Sequence, residues 1–158
     1  MRLRTRKFNN RKLSSILRTA TKFYIQHLLP NYKHSLFKID IIGVKNLEAD
    51  GTFEKISTNR YTIELRTDLD IQIMLLTLAH ELVHLKQYAT NELRSRVVAG
   101  QLVDIWKGKR YRNLKYDDQP WEIEALQKEQ DLFEDFISEC YASGKLINKL
   151  VKLRGFTR

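Results

Sequence analysis

Residues 80–84 read His-Glu-Leu-Val-His. In a helix, positions i and i+4 share a face, so the His80 and His84 imidazoles can point at one metal ion. Glu81 follows the first histidine and can reach a water on that metal instead of the metal itself. Zinc lowers the pKa of such a water toward ~7, and a carboxylate can then take the proton and pass it on. The context strengthens this pattern. The stretch IQIMLLTLAHELVHLKQY is apolar almost all round, and its polar groups Thr77, His80, Glu81, His84 and Tyr88 fall on one stripe. A buried helix does not carry two imidazoles and a carboxylate on one face unless something satisfies them. The plainer alternative makes His80 and His84 ordinary hydrogen-bonded helix residues and pairs Glu81 with a lysine or arginine.

Zinc needs a third protein donor and keeps one position open. Pro120-Trp121-Glu122-Ile123-Glu124-Ala125 offers it. Glu122 and Ala125 are three apart and face the same way at the start of a helix, and the small Ala125 lets that helix come close. Glu122 is therefore the expected third ligand. Glu124 points about 160° away by helical geometry and is the next candidate. The simpler role for Glu122 is to complement the helix dipole in the first turn. His27 and His34 are further candidates, each more readily a surface or packing residue. Asp117 and Asp118 can orient a ligating imidazole from behind, although capping the following helix suits Asp118 better.

These side chains need elements to hold them. Residues 1–10 carry no periodic pattern and are expected to be irregular. From about 11 to 29, Leu13, Ile16, Leu17, Ala20, Tyr24 and Leu28 recur at three and four, which predicts an amphipathic helix ending near Pro30. Residues 36–44 read as a strand, and GTFEKI and RYTIELRT as two more after the Asp50-Gly51 turn. Asp68 offers an N-cap for the motif helix, expected over about 69–89. Residues 101–116 suit a hairpin with Gly108 in the turn, or an irregular loop. Asp118-Gln119-Pro120 opens a helix to about 142, Ser143-Gly144 breaks it, and KLINKLVKL makes a short last helix. The fold class expected is α+β: an N-terminal helix, a small, mostly antiparallel three-stranded sheet, the motif helix, and a following helix with the third ligand.

The chain has 158 residues, 42% hydrophobic and 30% charged, which fits one domain. No run of 18 apolar residues exists, so no membrane-spanning helix is expected. No apolar stretch follows the basic start before residue 30, which predicts no secretory signal. The single cysteine, Cys140, suits a reducing compartment, and the expected location is cytoplasmic. The net charge is +9, and residues 1–34 hold nine Lys/Arg and no acid. Residues 1–12 are thus expected to form a basic arm drawn to nucleic-acid phosphates, and residues 13–158 a single domain. A solvated tail that aids solubility is the simpler account of the same charge.

LAHELVHLKQY with the later PWEIEA, whose Glu122 lies 38 residues after His84, resembles zinc metallopeptidases of the gluzincin kind, especially small SprT-like and phage-encoded domains. The resemblance covers about residues 36–140 and implies a minimal zincin core. It implies one Zn2+ per chain held by His80, His84 and Glu122, with Glu122 in the ligand place of the E-x-x-A segment. It also implies hydrolysis of a peptide or protein substrate with Glu81 as the catalytic base. The chain departs from the pattern at Leu126, where many gluzincins have an acidic residue, and it lacks the third histidine and cysteine-rich zinc ribbon of many SprT proteins. If the phage resemblance holds, the location is the host cytoplasm. Donors for a developing oxyanion are sought among Tyr88, Tyr111 and Tyr116. The rival expectations are a basic nucleic-acid-associated binding module, or a phage accessory protein with a structural or inactive zinc site.

Overall fold

The computed structural model describes residues 1–144 and Leu150. Among the described residues, three α-helices and two sheets make an α+β fold. Helix α1 (Arg11–Leu28) begins at Asn10, whose side-chain oxygen accepts from the Lys12 and Leu13 amides at 2.9 and 3.3 Å. That satisfies two of the amides a helix start leaves orphaned. Its buried stripe of Ile16, Leu17, Ala20, Thr21, Tyr24 and Ile25 follows the expected periodicity.

The main sheet differs from expectation. It has four strands in the order β1-β2-β4-β3: β1 (Arg2–Arg6), β2 (Lys38–Val44), β3 (Gly51–Ser57) and β4 (Arg60–Arg66). β1 and β4 both run parallel to β2, and only β3 is antiparallel to its neighbour, so the sheet is mixed. The two central strands alternate strictly, with Ile39 and Ile41 of β2 and Tyr61, Ile63 and Leu65 of β4 buried beneath the helices. The segment expected to be irregular is therefore strand β1. Leu3 packs on the core while Arg2, Arg4 and Arg6 face outward, and Arg6 bonds Asp40 at 3.1 Å. Arg2, Lys38 and Arg60 stand side by side across three strands. Like charges directly opposite one another destabilise a sheet unless an anion lies over them.

Helix α2 (Ile71–Ala89) lies at the centre, with twelve of its nineteen residues buried. Its N-cap position is Asp70, two residues later than expected, because Asp68 is engaged by Arg66 at 3.0 Å. A second sheet follows: β5 (Leu93–Val98), β6 (Gln101–Trp106) and β7 (Lys109–Tyr111), all antiparallel. The expected hairpin is present, with Lys107 and Gly108 both at positive φ in its turn, the geometry that suits the right-handed twist of paired strands. Leu93, Trp106 and Trp121 form a small separate core beneath this sheet.

Helix α3 (Pro120–Ser143) starts with proline, whose missing amide costs nothing there, and stops at Gly144 with φ 65°. Asp117 and Asp118 sit in a short 3-10 turn, and Gln119 occupies the N-cap without a side-chain bond, so Asp118 is not the cap. KLINKLVKL lies outside the described residues except for Leu150, which is buried in the main core. Cys140 is buried on α3, and burial together with the Glu139 charge pushes its thiol up to about 11. No described helix is long and apolar enough to cross a membrane.

Because β1 closes one side of the main sheet, deleting residues 1–7 should lower the melting temperature by about 5 °C or more. Thermal denaturation followed by circular dichroism reads this. An unchanged midpoint would mean that these residues behave as a free arm.

Candidate metal centre

His80 and His84 project from α2 one turn apart, and Glu122 projects from the first turn of α3. The small Ala125, fully buried, lets the two helices approach. His80 Nε2 lies 3.2 Å from His84 Nε2 and 3.2 Å from Glu122 Oε2, and His84 Nε2 lies 3.3 Å from the same oxygen. Three donors at about 2.0–2.1 Å from a tetrahedral metal stand about 3.3 Å apart. The triangle therefore matches one face of such a tetrahedron, with the fourth position open toward a cavity of about 360 Å³.

The rings are fixed from behind. Gln87 Nε2 donates to Trp121 O at 2.9 Å and Glu124 Oε2 at 3.1 Å, so its amide oxygen must face His84. That oxygen accepts from His84 Nδ1 at 2.9 Å, which leaves the Nε2 lone pair of a neutral ring aimed into the triangle. Glu129 does the same for His80, accepting from Nδ1 at 2.8 Å. With both rings neutral, two nitrogen lone pairs and a carboxylate oxygen converge, and they repel one another unless a cation sits among them. A proton is the smallest such cation, and a metal is the other.

The electrostatics agree. Burial disfavours a charged His80, but hydrogen bonds to Glu122 and Glu129 and the nearby Glu81 charge prevail and push it up to about 9. Glu122 moves the other way: burial opposes its charge, yet hydrogen bonds from the protonated His80 and from Tyr116 hold it well below the usual carboxylate range.

Glu81 lines the same cavity but is not part of the triangle. Burial raises its pKa, against the lowering charges of His84 and His80. β3 passes close over it at Gly51, where a Cβ would stand 2.5 Å from the Thr77 methyl and 3.0 Å from Glu81 Oε1. The wall facing this carboxylate is thus bare backbone.

Other expected candidates lie elsewhere. Glu124 faces away from the triangle, as the helical geometry predicts, and holds Gln87, Lys86 at 3.4 Å and Lys107 at 3.2 Å. His27 is exposed, bonded to Phe23 O at 2.9 Å, and His34 bonds Leu29 O. Asp117 and Asp118 do not orient the imidazoles, since Glu129 and Gln87 occupy the rear nitrogens. Tyr88 and Tyr116 line the cavity, whereas Tyr111 packs on Trp121 outside it. Gln87 and Glu129 were not singled out from the sequence. Their signal was spacing: Gln87 is three residues after His84, and Glu129 is two helical turns after Glu122 on the same face.

Fold and site together define an α+β domain with a candidate buried His-His-Glu metal centre. No family model, no curated protein and no solved structure matches the chain.

A proton and a metal compete for the triangle. Near pH 7 the metal-free His80, raised to about 9, is charged. Uptake of a divalent metal should therefore release about one proton per ion at pH 7, and fewer as the pH rises past that value. Calorimetric titration in buffers of different ionisation enthalpy measures this. Release of no proton at pH 7 would contradict the raised pKa of His80.

Proposed function

We propose that this chain is a single-zinc peptidase. The observation that carries the proposal is the position of Glu81, buried beside an open coordination face without being one of its donors. Two neutral imidazoles and one carboxylate suit zinc, and a zinc site with three protein donors is of the catalytic type. Bound zinc supplies a Lewis acid and acidifies a water at its open position. His80, His84 and Glu122 hold the ion, and Gln87 and Glu129 keep the rings in register. Glu81 accepts the proton of the attacking water on a carboxylate oxygen and passes it to the departing amine nitrogen. With Glu122 taken up by the ion, the Tyr116 O–H that it held is free to turn to the developing oxyanion. β3 is an edge strand along the cavity, so an extended substrate can add to it through main-chain hydrogen bonds. The gluzincin-like pairing of the His-Glu-Leu-Val-His segment with Glu122–Ala125 supports the same reading.

The test is Glu81→Gln. It should bind zinc as the parent does, about one ion per chain by metal analysis, and lose about 100-fold or more of its hydrolysis of an unfolded protein substrate. Undiminished hydrolysis would remove Glu81 from the mechanism and the peptidase reading with it.

A second reading concerns the outer face of the main sheet. Arg2, Arg4, Lys38 and Arg60 line one small cavity whose single carboxylate, Asp40, is already paired with Arg6. Nucleic-acid phosphates would relieve the repulsion in this cluster. Removing the segment would also remove a strand, so the test is substitution: Arg2→Ser with Arg4→Ser should lower the salt dependence of DNA binding by a slope of about 2. An unchanged slope discards this reading.

A further inference from the structure

The cavity over the metal centre continues into a second groove of about 500 Å³, the two sharing Phe53 and Tyr88. One wall of this groove is β3, which pairs only with β4, and the other is β5, which pairs only with β6. Two strand edges, one from each sheet, therefore face the same space, with Tyr88 of α2 also in its lining. The charges on them are unbalanced. Lys55 lies on β3, and Arg94 and Arg96 lie on β5. None of the three has an ion pair among the described residues, and the only carboxylate in the walls is Glu54. Lys55 rests over the Tyr88 ring at 5.6 Å.

Charged residues often guard free strand edges against unwanted pairing. That purpose is served by either sign. Cations on both facing edges repel one another across the gap, and an anionic occupant removes that repulsion. The opposite end of the cleft has another character. It is lined by Ile73, Leu76 and Leu126, with Ile73 and Leu126 half exposed; of its three carboxylates Asp50 is paired with Arg66 and Glu129 with His80, and the third is Glu81 of the site itself.

We propose that the groove between β3 and β5 is a subsite for an extended acidic polypeptide segment, with Lys55, Arg94 and Arg96 as the residues that select it. The proposal rests on the peptidase reading for its placement on one flank of the scissile bond. The segment hydrogen-bonds to one or both strand edges. Its acidic side chains meet the three cations, and apolar residues occupy the other flank. Whether the acidic flank is N-terminal or C-terminal reports the direction of the segment relative to β3.

The test reads binding to an inert protein. Zinc-loaded Glu81→Gln is titrated with short fluorescein-labelled peptides whose flank carries Asp and Glu, or Ser in their place, and anisotropy is recorded. The acidic peptide should bind about tenfold more tightly, with a preference that shrinks as salt is added. In the Arg94→Glu/Arg96→Glu form, whose changes lie on exposed side chains, the preference should invert toward a lysine-flanked peptide. Equal affinities, no binding of either peptide, or an acidic preference that survives charge reversal overturns the inference. So does a single-stranded DNA oligonucleotide that displaces the acidic peptide and loses its affinity in the charge-reversed form, since that assigns the groove to nucleic acid. Hydrolysis by the parent protein is scored separately: its absence removes the peptidase reading and leaves a demonstrated acidic subsite in place.

Discussion

Two imidazole nitrogens and a carboxylate oxygen stand within 3.3 Å of one another on buried side chains, with a single proton on His80 among their electron pairs when no metal is bound. Like partial charges at that distance are expensive in a medium of low dielectric. The arrangement persists because the rings cannot turn: Gln87 and Glu129 use up the opposite nitrogens, and Gln87 is itself pinned by Trp121 and Glu124. Much of the polar chemistry between α2 and α3 is spent on this constraint. Lys86, Glu92, Glu124 and Lys107 form an ion-pair chain beside it that involves no ligand but fixes Gln87.

The labour is divided by element type. The donors and their supports come from two long helices, whose packed faces hold a side chain to within fractions of an ångström. The walls around them come from strand edges, where backbone is available to a chain passing through. Gly51 marks the meeting of the two: with no Cβ, β3 can lie against Thr77 and Glu81 directly. The charge of the surface is distributed in the same modular way. β1 and its neighbours gather arginines on the outer face, and β5 carries its own on the inner rim.

Local geometry was legible in the sequence. His80 and His84 on one face, and Glu122 with Ala125 on another, follow from helical spacing alone, and the residue types leave few other chemistries. What depended on how elements cross was not. Glu129 becomes a ring partner only once α2 and α3 pack, and Gln87 is pinned only then by Trp121 and Glu124, so their spacing from His84 and Glu122 alone does not set them apart from solvated helix residues. β1 was hidden by its charge: its alternation rests on Leu3 and Thr5 alone, between arginines that suggest a solvated arm, and its partner β2 is more than thirty residues away. β5 was obscured likewise, since only Leu93 of its six residues is buried. Asp68 and Asp118, good caps by type, were displaced by an ion pair and by a short 3-10 turn.

The second sheet is strung between the two ligand-bearing helices, leaving α2 after His84 and returning at Glu122, and its own core has three buried side chains. A sheet of that size has little cohesion of its own. An ion gripped by His84 and Glu122 closes the loop that contains it, acting as a staple on an otherwise weakly held lobe. Availability of the ion is thereby linked to the integrity of β5, which forms one wall of the groove beside the site. Starvation for metal would loosen one rim of the cleft as well as empty its centre.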